Sequence, residues 1–292
     1  MARLFGTDGV RGEANAALSP ELAYRLGWAA ALYFEEKVKE KPRIIIGRDT
    51  RISGNLFESA LAMGICSAGG LVEIVGVCPT PGIAYLARMH HAAAGIVISA
   101  SHNPFYDNGI KFFGGDGYKL PDAAEDEIEK IVRRIEAGES LPRATREKIG
   151  TIKRRKEYVR EYIDFVQGTA GIQLDGLEVV LDCANGASYD CMPRVLRRLG
   201  ADVHVIHADP DGTNINAGCG STHLEELQKT VLAHGADIGI AHDGDADRCL
   251  CVDEKGAVID GDHILVMCAK DMMEQGTLAD NTVVTTVMAN IG

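Results

Sequence analysis

The sequence predicts an α/β protein of tandem, related three-layer α/β/α domains with mixed, largely parallel sheets. Two observations carry this expectation. Short β-branched runs alternate with segments of helical length. The same strand, loop, helix, strand rhythm then restarts after a charged, proline-containing break at residues 138–162, "GESLPRATREKIGTIKRRKEYVREY".

In the first unit, "RIIIG" (43–47) reads as a strand, residues 54–67 as a helix and "LVEIVGV" (71–77) as a second strand. A helix after Pro81 and the strand "GIVIS" (95–99) complete a βαβαβ pattern. Asp122 followed by Glu125 forms an Asp variant of the capping box. Ile128, Ile131, Val132 and Ile135 then recur at helical spacing before Gly138. The charged break places a domain boundary near residue 152, giving a first domain of 1–152.

The second unit, 153–254, repeats the rhythm. "LEVVLDCANGASYDCMPRVLRRLGADVHVIH" reads strand, Asn-Gly loop, helix, strand, and "HLEELQKTVLAHGADIGIAHDGDADRCLCVD" reads helix, strand, acidic loop, strand. A third unit, 255–292, begins with a helix from about Asp262 to Glu274 and continues into a strand, "TVVTTVMANIG" (282–292). Parallel sheets are normally covered on both faces, and no crossover helix follows that strand. The chain is therefore expected to be the N-terminal piece of a longer protein, ending inside its third domain.

Composition excludes several classes of function. The 292 residues are 46% hydrophobic and 25% charged, an ordinary globular balance that argues against general disorder. A net charge of −12 argues against binding to nucleic acid or to a membrane surface. "MARLFGTDGVRG" lacks the apolar core of a signal peptide, and no segment approaches the ~18 apolar residues of a membrane span, so a cytoplasmic location is expected. The eight cysteines form no C-x-x-C pair and read as small buried thiols in a reducing compartment.

The most specific local signal is "AHDGDADRCLCVD". Asp243, Asp245 and Asp247 alternate with Gly244 and Ala246 directly after an apolar run. In an extended segment such residues share one side, so three carboxylates would converge at the end of a strand and repel one another without a cation. An all-oxygen set suits a hard ion such as Mg²⁺. A solvated acidic turn is the alternative, since Asp-Gly is common turn chemistry. An EF-hand is excluded, because Arg248 and Cys249 stand where the calcium loop needs its glycine turn and next ligand.

In "GIVISASHNPFYDNGIKFF" (95–113), Ser101 follows a strand end, with His102, Asn103 and Lys111 as nearby donors. The serine is either a nucleophile or phosphate carrier, or one of two residues, with Asn103, that cap a turn set by Pro104. The residues leave both open. "FGTDGVRG" (5–12) carries three glycines and Arg11 in a short loop suited to an anion. "GRDTRISG" (47–54) reads as a structural Asp–Arg network before it reads as a phosphate site.

Together "FGTDGVRG", "GRDTRISG", "SASHNPFYDNGIKFF", "TNINAGCGSTH" and "DGDADR", in this order, resemble the α-D-phosphohexomutases over essentially the whole chain. The resemblance implies a four-domain, heart-shaped enzyme in which Ser101 carries the phosphate. Ser101, Asp243, Asp245 and Asp247 would then hold one Mg²⁺. Arg11 and Lys111 would assist proton transfer and charge stabilisation, and His102, Asn103 and Arg248 would support the phosphoserine and metal. "LFGTDGVRGEAN", "DNGIKFF" and "TNINAGCGSTH" are most similar to the branch acting on glucosamine phosphates. That branch implies conversion of glucosamine 6-phosphate to glucosamine 1-phosphate through a 1,6-bisphosphate, on the route to UDP-N-acetylglucosamine and the cell wall. Glucosamine or glucose 1,6-bisphosphate would be the phosphorylating activator. The implied partner is a phosphosugar, with room for a homodimer.

The mannose- and glucose-phosphate branches remain alternatives, as does a non-catalytic phosphosugar-binding relative, against which Ser101, Lys111 and the three aspartates stand. A metal-dependent phosphatase with an aspartate nucleophile is a third, and it requires phosphate release to survive loss of Ser101. The family's G-E-x-S-G-H sugar-recognition loop and its phosphate-binding fourth domain are not found in these residues, so little mutase activity is expected of the chain as it stands.

Overall fold

A computed structural model describes residues 3–290. The first sheet has six strands: β1 (Val10–Glu13), β2 (Arg43–Arg48), β3 (Leu71–Val77), β4 (Ala94–Ile98), β5 (Asp107–Gly114) and β6 (Thr151–Arg154). Their spatial order is β1-β5-β4-β2-β3-β6. β4, β2, β3 and β6 run parallel, while β5 returns antiparallel to β4 and β1 lies antiparallel to β5.

The sheet is covered on both faces, which is why β2 reads as an unbroken isoleucine run. Ile44 and Ile46 point into a cluster with α1 (Pro20–Val38), α2 (Gly54–Ser67) and α4 (Asp122–Glu136). Ile45 points the other way, toward α3 (Thr80–Met89) and α5 (Glu157–Thr169). All three isoleucines are fully buried, each worth ~1.5–3 kcal/mol over an exposed position.

The second sheet has five strands: β7 (Glu178–Asp182), β8 (Asp202–Ile206), β9 (Ile238–His242), β10 (Cys249–Asp253) and β11 (Val258–Ile259), in the order β11-β10-β9-β7-β8. β7 is parallel to β8 and β9, and β10 runs antiparallel to both β9 and β11. Val179 and Leu181 pack toward α6 (Cys191–Arg198), and Val180 packs with Ala241 toward α7 (Glu225–His234). The two units share an apolar joint, because Cys191 and Val195 of α6 join Tyr158, Tyr162 and Ile163 of α5 beneath Ile83 and Leu86 of α3. A final helix, α8 (Gly261–Glu274), follows β11 and has no buried residue.

Several expectations are corrected. The capping box at Asp122 does not form: Pro121 occupies the cap position, and Asp122 is the first helical residue. A proline has neither a side-chain acceptor nor an N–H for Glu125 to reach back to, so the Glu125 carboxylate turns to Lys119 and Arg3 instead. The strand expected at 282–292 is not formed among the described residues, and Ile291 and Gly292 lie outside them. A strand requires a neighbouring edge for its backbone groups, and Val284 and Val287 stand exposed without one.

Arg11 lies on β1 and not in the preceding loop. Of the thiols, only Cys78, Cys183, Cys191 and Cys219 are buried, and Cys249 and Cys268 are exposed. β6 straddles residue 152, and β11 belongs to the second sheet although it lies beyond residue 254. Among the described residues no helix is long and apolar enough to cross a membrane.

α1 and α2 approach closely because glycines face backbone across the contact. A Cβ at Gly64 would stand 2.0 Å from the Tyr24 carbonyl oxygen, and one at Gly27 would stand 2.3 Å from that of Leu61. Gly64→Ala is expected to lower stability by ~1–3 kcal/mol in urea unfolding. Gly168→Ala, in α5 with nothing within 4 Å of the added methyl, should be neutral or stabilising by up to ~1 kcal/mol. Equal effects at the two positions would disprove the close-packing account.

Candidate active site

The site lies where the parallel strands β2, β4, β7 and β9 end, the usual position for ligands of open α/β sheets. Immediately after β2, Asp49 and Arg51 are both fully buried and paired, with Nε 2.9 Å from Oδ2. The rest of the guanidinium is turned on the loop after β4. Nη2 donates to the carbonyls of Ser101 at 3.0 Å and Asn103 at 2.8 Å, and Nη1 donates to those of Asp107 at 3.1 Å and Pro104. Asp49 also accepts from Ser99 Oγ at 2.6 Å, and Ser99 Oγ accepts from the Ser101 amide at 2.9 Å. From the second unit, Asn216 Nδ2 donates to the same Ser101 and Asn103 carbonyls at 2.9 and 3.2 Å.

This network holds Ser101 in a left-handed conformation, φ 55°, which costs a non-glycine residue ~1–3 kcal/mol. The hydroxyl is thereby aimed across the interface between units. Oγ donates to Asp243 Oδ2 at 2.5 Å and accepts from Arg248 Nη2 at 2.7 Å, and the same Nη2 reaches His102 Nδ1 at 2.7 Å. Burial, with Arg248 and Arg11 adding to it, pushes His102 below the usual imidazole range, which favours the neutral ring whose Nδ1 can accept from Arg248.

The acidic loop after β9 converges its carboxylates, though not as an extended segment. It is a turn, closed by the Ala246 amide on the Asp243 carbonyl at 3.0 Å, with Ala246 at φ 55°. Contacts that admit no side chain force the turn: a Cβ at Gly244 would lie 2.6 Å from the Ser101 carbonyl oxygen, and one at Gly186 would lie 2.4 Å from that of Gly244. Asp245 is anchored to the first unit. Its Oδ2 accepts from Thr80 Oγ1 and Lys111 Nζ, both at 2.7 Å, and its carbonyl accepts from the Thr80 amide at 2.9 Å. Lys111 also faces Asp247 at 3.9 Å, and Arg248 Nε lies 3.6 Å from the other oxygen of Asp247.

Asp243, Asp245 and Asp247 each place an oxygen within 4.8 Å of the others, and the buried Oδ1 of Asp245 has no hydrogen-bond partner. Burial and the neighbouring Asp245 charge push Asp243 up to about 6, and the same two causes raise Asp247. Asp245 is held below its ordinary range, because Lys111 and Thr80 outweigh its burial. An orphaned carboxylate oxygen among crowded carboxylates fits a hard divalent cation, which would relieve both the repulsion and the unmet acceptor.

Ser101, His102, Lys111, Asp243, Asp245, Asp247 and Arg248 are thus joined by direct contacts. Asn103 holds the loop from within, donating from Nδ2 to Asp107 at 2.9 Å. Arg11 pairs with Asp8 at 3.3 Å and makes no hydrogen bond to Ser101 among the described residues. Sequence reasoning assigned no role to Thr80, Ser99 or Asn216. "TNINAGCGSTH" held the only cue to Asn216, and nothing local marks Thr80.

Comparison with known proteins bears on the fold of both units. The model for phosphoglucomutase/phosphomannomutase α/β/α domain I matches residues 2–139, and that for domain II matches residues 156–256. The chain is 55% identical over its whole length to a phosphoglucosamine mutase of Desulforudis audaxviator and 56% identical to one of Desulforamulus reducens, covering 64% and 65% of those proteins. It therefore spans about 65% of the length of the curated relatives it matches. A phosphoglucomutase/phosphomannomutase family protein of Burkholderia thailandensis superposes with a TM-score of 0.76 at 25% identity, over 94% of this chain and 59% of that one. The N-acetylphosphoglucosamine mutase of Aspergillus fumigatus, solved with GlcNAc-6P and magnesium, shares the fold at a TM-score of 0.55 and 17% identity, over 94% of this chain and 56% of that one.

Removing the Arg51 guanidinium leaves Asp49 buried without its cation. Arg51→Ala is expected to cost ~3–5 kcal/mol of stability by denaturant unfolding. Arg51→Lys should recover only part of this, since an ammonium cannot span the same acceptors. Full recovery by lysine would refute the account of Arg51 as a multidentate tie.

Proposed function

This chain belongs to the phosphoglucomutase/phosphomannomutase family, and we propose that it performs the phosphoryl-transfer half of a phosphoglucosamine mutase reaction. Ser101 would carry the phosphate between the 6- and 1-hydroxyls of glucosamine phosphate. One observation carries the reading: a buried serine in a strained conformation, its hydroxyl 2.5 Å from Asp243 and 2.7 Å from Arg248. The identity of 51–56% to relatives named phosphoglucosamine mutase favours the glucosamine branch over the mannose and glucose branches.

Phosphoryl transfer depends on positioning and on neutralising charge, and these residues supply both. In the forward half-reaction the Ser101 Oγ–P bond breaks as a bond forms from phosphorus to the free sugar hydroxyl. The sugar hydroxyl gives up one proton and Ser101 Oγ takes one up, so the transfer is proton-neutral and Oγ again donates to Asp243 and accepts from Arg248. Arg248 and Lys111 lie beside the charge that moves, and Arg11 adds a third cation at the rim. Asp243, Asp245 and Asp247 would hold Mg²⁺, with a phosphoserine oxygen as a further ligand. When bound, that ion would neutralise phosphate oxygens during transfer. The sugar bisphosphate must then turn over before returning its second phosphate. We further propose domain divisions close to residues 152 and 254 but falling just beyond β6 and β11, so that neither sheet is cut, together with a cytoplasmic location and activation by glucosamine or glucose 1,6-bisphosphate.

Incubation with glucose 1,6-bisphosphate and Mg²⁺ should add one phosphate, ~80 Da, at Ser101 by peptide mass mapping. Ser101→Ala should add none, and Lys111→Ala should slow labelling by ~10²-fold. Label on another residue, or label that survives in Ser101→Ala, would remove the proposal. In the full-length gene product, glucosamine phosphates should be converted faster than mannose or glucose phosphates.

Mg²⁺ must displace the proton that Asp243 holds at low pH, so affinity should rise as pH increases through about 6 and level off above it. Calorimetric titration across that range checks the sign. An affinity independent of pH would count against Asp243 as a ligand.

A further inference from the structure

Three loops of the second unit meet at a cluster that the phosphoryl-transfer site does not use. Asp182 ends β7, His207 follows β8, and Cys219 precedes a single 3₁₀ turn at Gly220–Thr222. Each places one donor atom within 4.8 Å of the others. None of the three belongs to the aspartate set that follows β9.

Asp182 is fully buried, yet no lysine or arginine pairs with it among the described residues. The Ala184 amide donates to its Oδ1 and the Gly220 amide to its Oδ2, both at 2.8 Å. A buried carboxylate ordinarily has a cation as well. The nearest candidate is His207, whose Nδ1 lies 3.1 Å from Oδ2, but that nitrogen is buried and makes no aligned hydrogen bond. Its outer nitrogen, Nε2, faces Glu226 Oε2 at 3.2 Å. A neutral imidazole has one proton for these two carboxylates. With that proton at Nε2, the Nδ1 lone pair confronts Oδ2, a contact that calls for a cation. The buried Cys219 thiol stands beside them and makes no hydrogen bond among the described residues. Burial, Asp182 and Glu226 push it up to about 12, so it keeps its proton until a cation displaces it.

We propose that Asp182, His207 and Cys219 bind a zinc ion, with water as the fourth ligand, at a structural site separate from the aspartates after β9. One carboxylate oxygen, one imidazole nitrogen and one thiolate sulfur make a donor set that suits zinc and not Mg²⁺. In a tetrahedral zinc site the nitrogen and oxygen ligands stand ~3.3 Å apart, close to the separation of Nδ1 and Oδ2. Glu226 holds the ring proton at Nε2, as a carboxylate does behind a ligating histidine. The Cys219 thiol releases its proton to water as the zinc–sulfur bond forms. His207 is 20% exposed and opens the cluster to solvent. The ion ties the ends of β7 and β8 to the loop of Asn216, whose amide holds the Ser101 and Asn103 carbonyls. Zinc thereby braces the second unit's hold on the Ser101 loop.

The test loads the full-length gene product with Zn²⁺ in excess Mg²⁺, which occupies the all-oxygen set, and measures retained metal by mass spectrometry after gel filtration. The wild-type protein should keep one zinc per chain and gain Tm with it, whereas Cys219→Ser should do neither. Glu226→Gln, which alters only the group behind the ring, should weaken zinc binding by ~10–100-fold. Co²⁺ in place of Zn²⁺ should give a thiolate-to-metal charge-transfer band that disappears in Cys219→Ser. Should that variant fail to fold, His207→Gln carries the same measurements at a partly exposed position. A wild-type protein that retains no zinc overturns the inference. Zinc or a charge-transfer band that survives in folded Cys219→Ser overturns it equally, since the ion would then sit on other residues.

Discussion

One buried guanidinium organises this molecule. Arg51 enters the interior paired with Asp49 and distributes its remaining donors over four carbonyls of the Ser101 loop. A loop that leaves a sheet and buries its backbone must satisfy those carbonyls, and here no strand partner does so. Arginine suits this use because its donors form a fixed planar fork that stays charged. The left-handed φ of Ser101 persists because the network around it leaves no cheaper conformation.

The second unit completes what the first begins. Asn216 reinforces the same carbonyls from across the crevice, and Thr50 Oγ1 donates to the Asn185 carbonyl at 2.5 Å. In return the first unit grips the acidic turn, through Thr80 at the start of α3 and Lys111 on β5. The turn can approach Ser101 only because Gly244 and Gly186 present no side chains where backbone meets backbone. The serine hydroxyl and the three carboxylates are consequently set by one continuous set of contacts. A carboxylate cluster that would be unstable alone is held between two rigid sheets, poised for a cation.

Much of the fold was legible because its signals are local or periodic. The isoleucine run of β2 reads as a strand because it is buried on both faces, and Ile128 and Val132 reveal the buried side of α4 at helical spacing. Expectations failed where a neighbour decides the outcome. The capping box was undone by the adjacent Pro121, and the strand at 282–292 lacked an edge to pair with among the described residues. For the acidic loop the convergence was anticipated but its cause was not. Alternation suggested a pleated strand, whereas a turn through Ala246 brings the carboxylates together.

By itself the sequence determined which chemistry is available: a serine and three aspartates that each follow an apolar run, with a lysine and arginines in the neighbouring motifs. Residue type and period 2 or 3.6 are properties of short segments, so they survive without a structure. Only the tertiary structure decided that Ser101 faces Asp243 across 142 positions, that Thr80 anchors Asp245, and that Glu125 is buried between Lys119 and Arg3. Those relations depend on how two sheets dock and which carbonyls Arg51 captures. Distances between remote side chains are set by that packing, which no local pattern encodes.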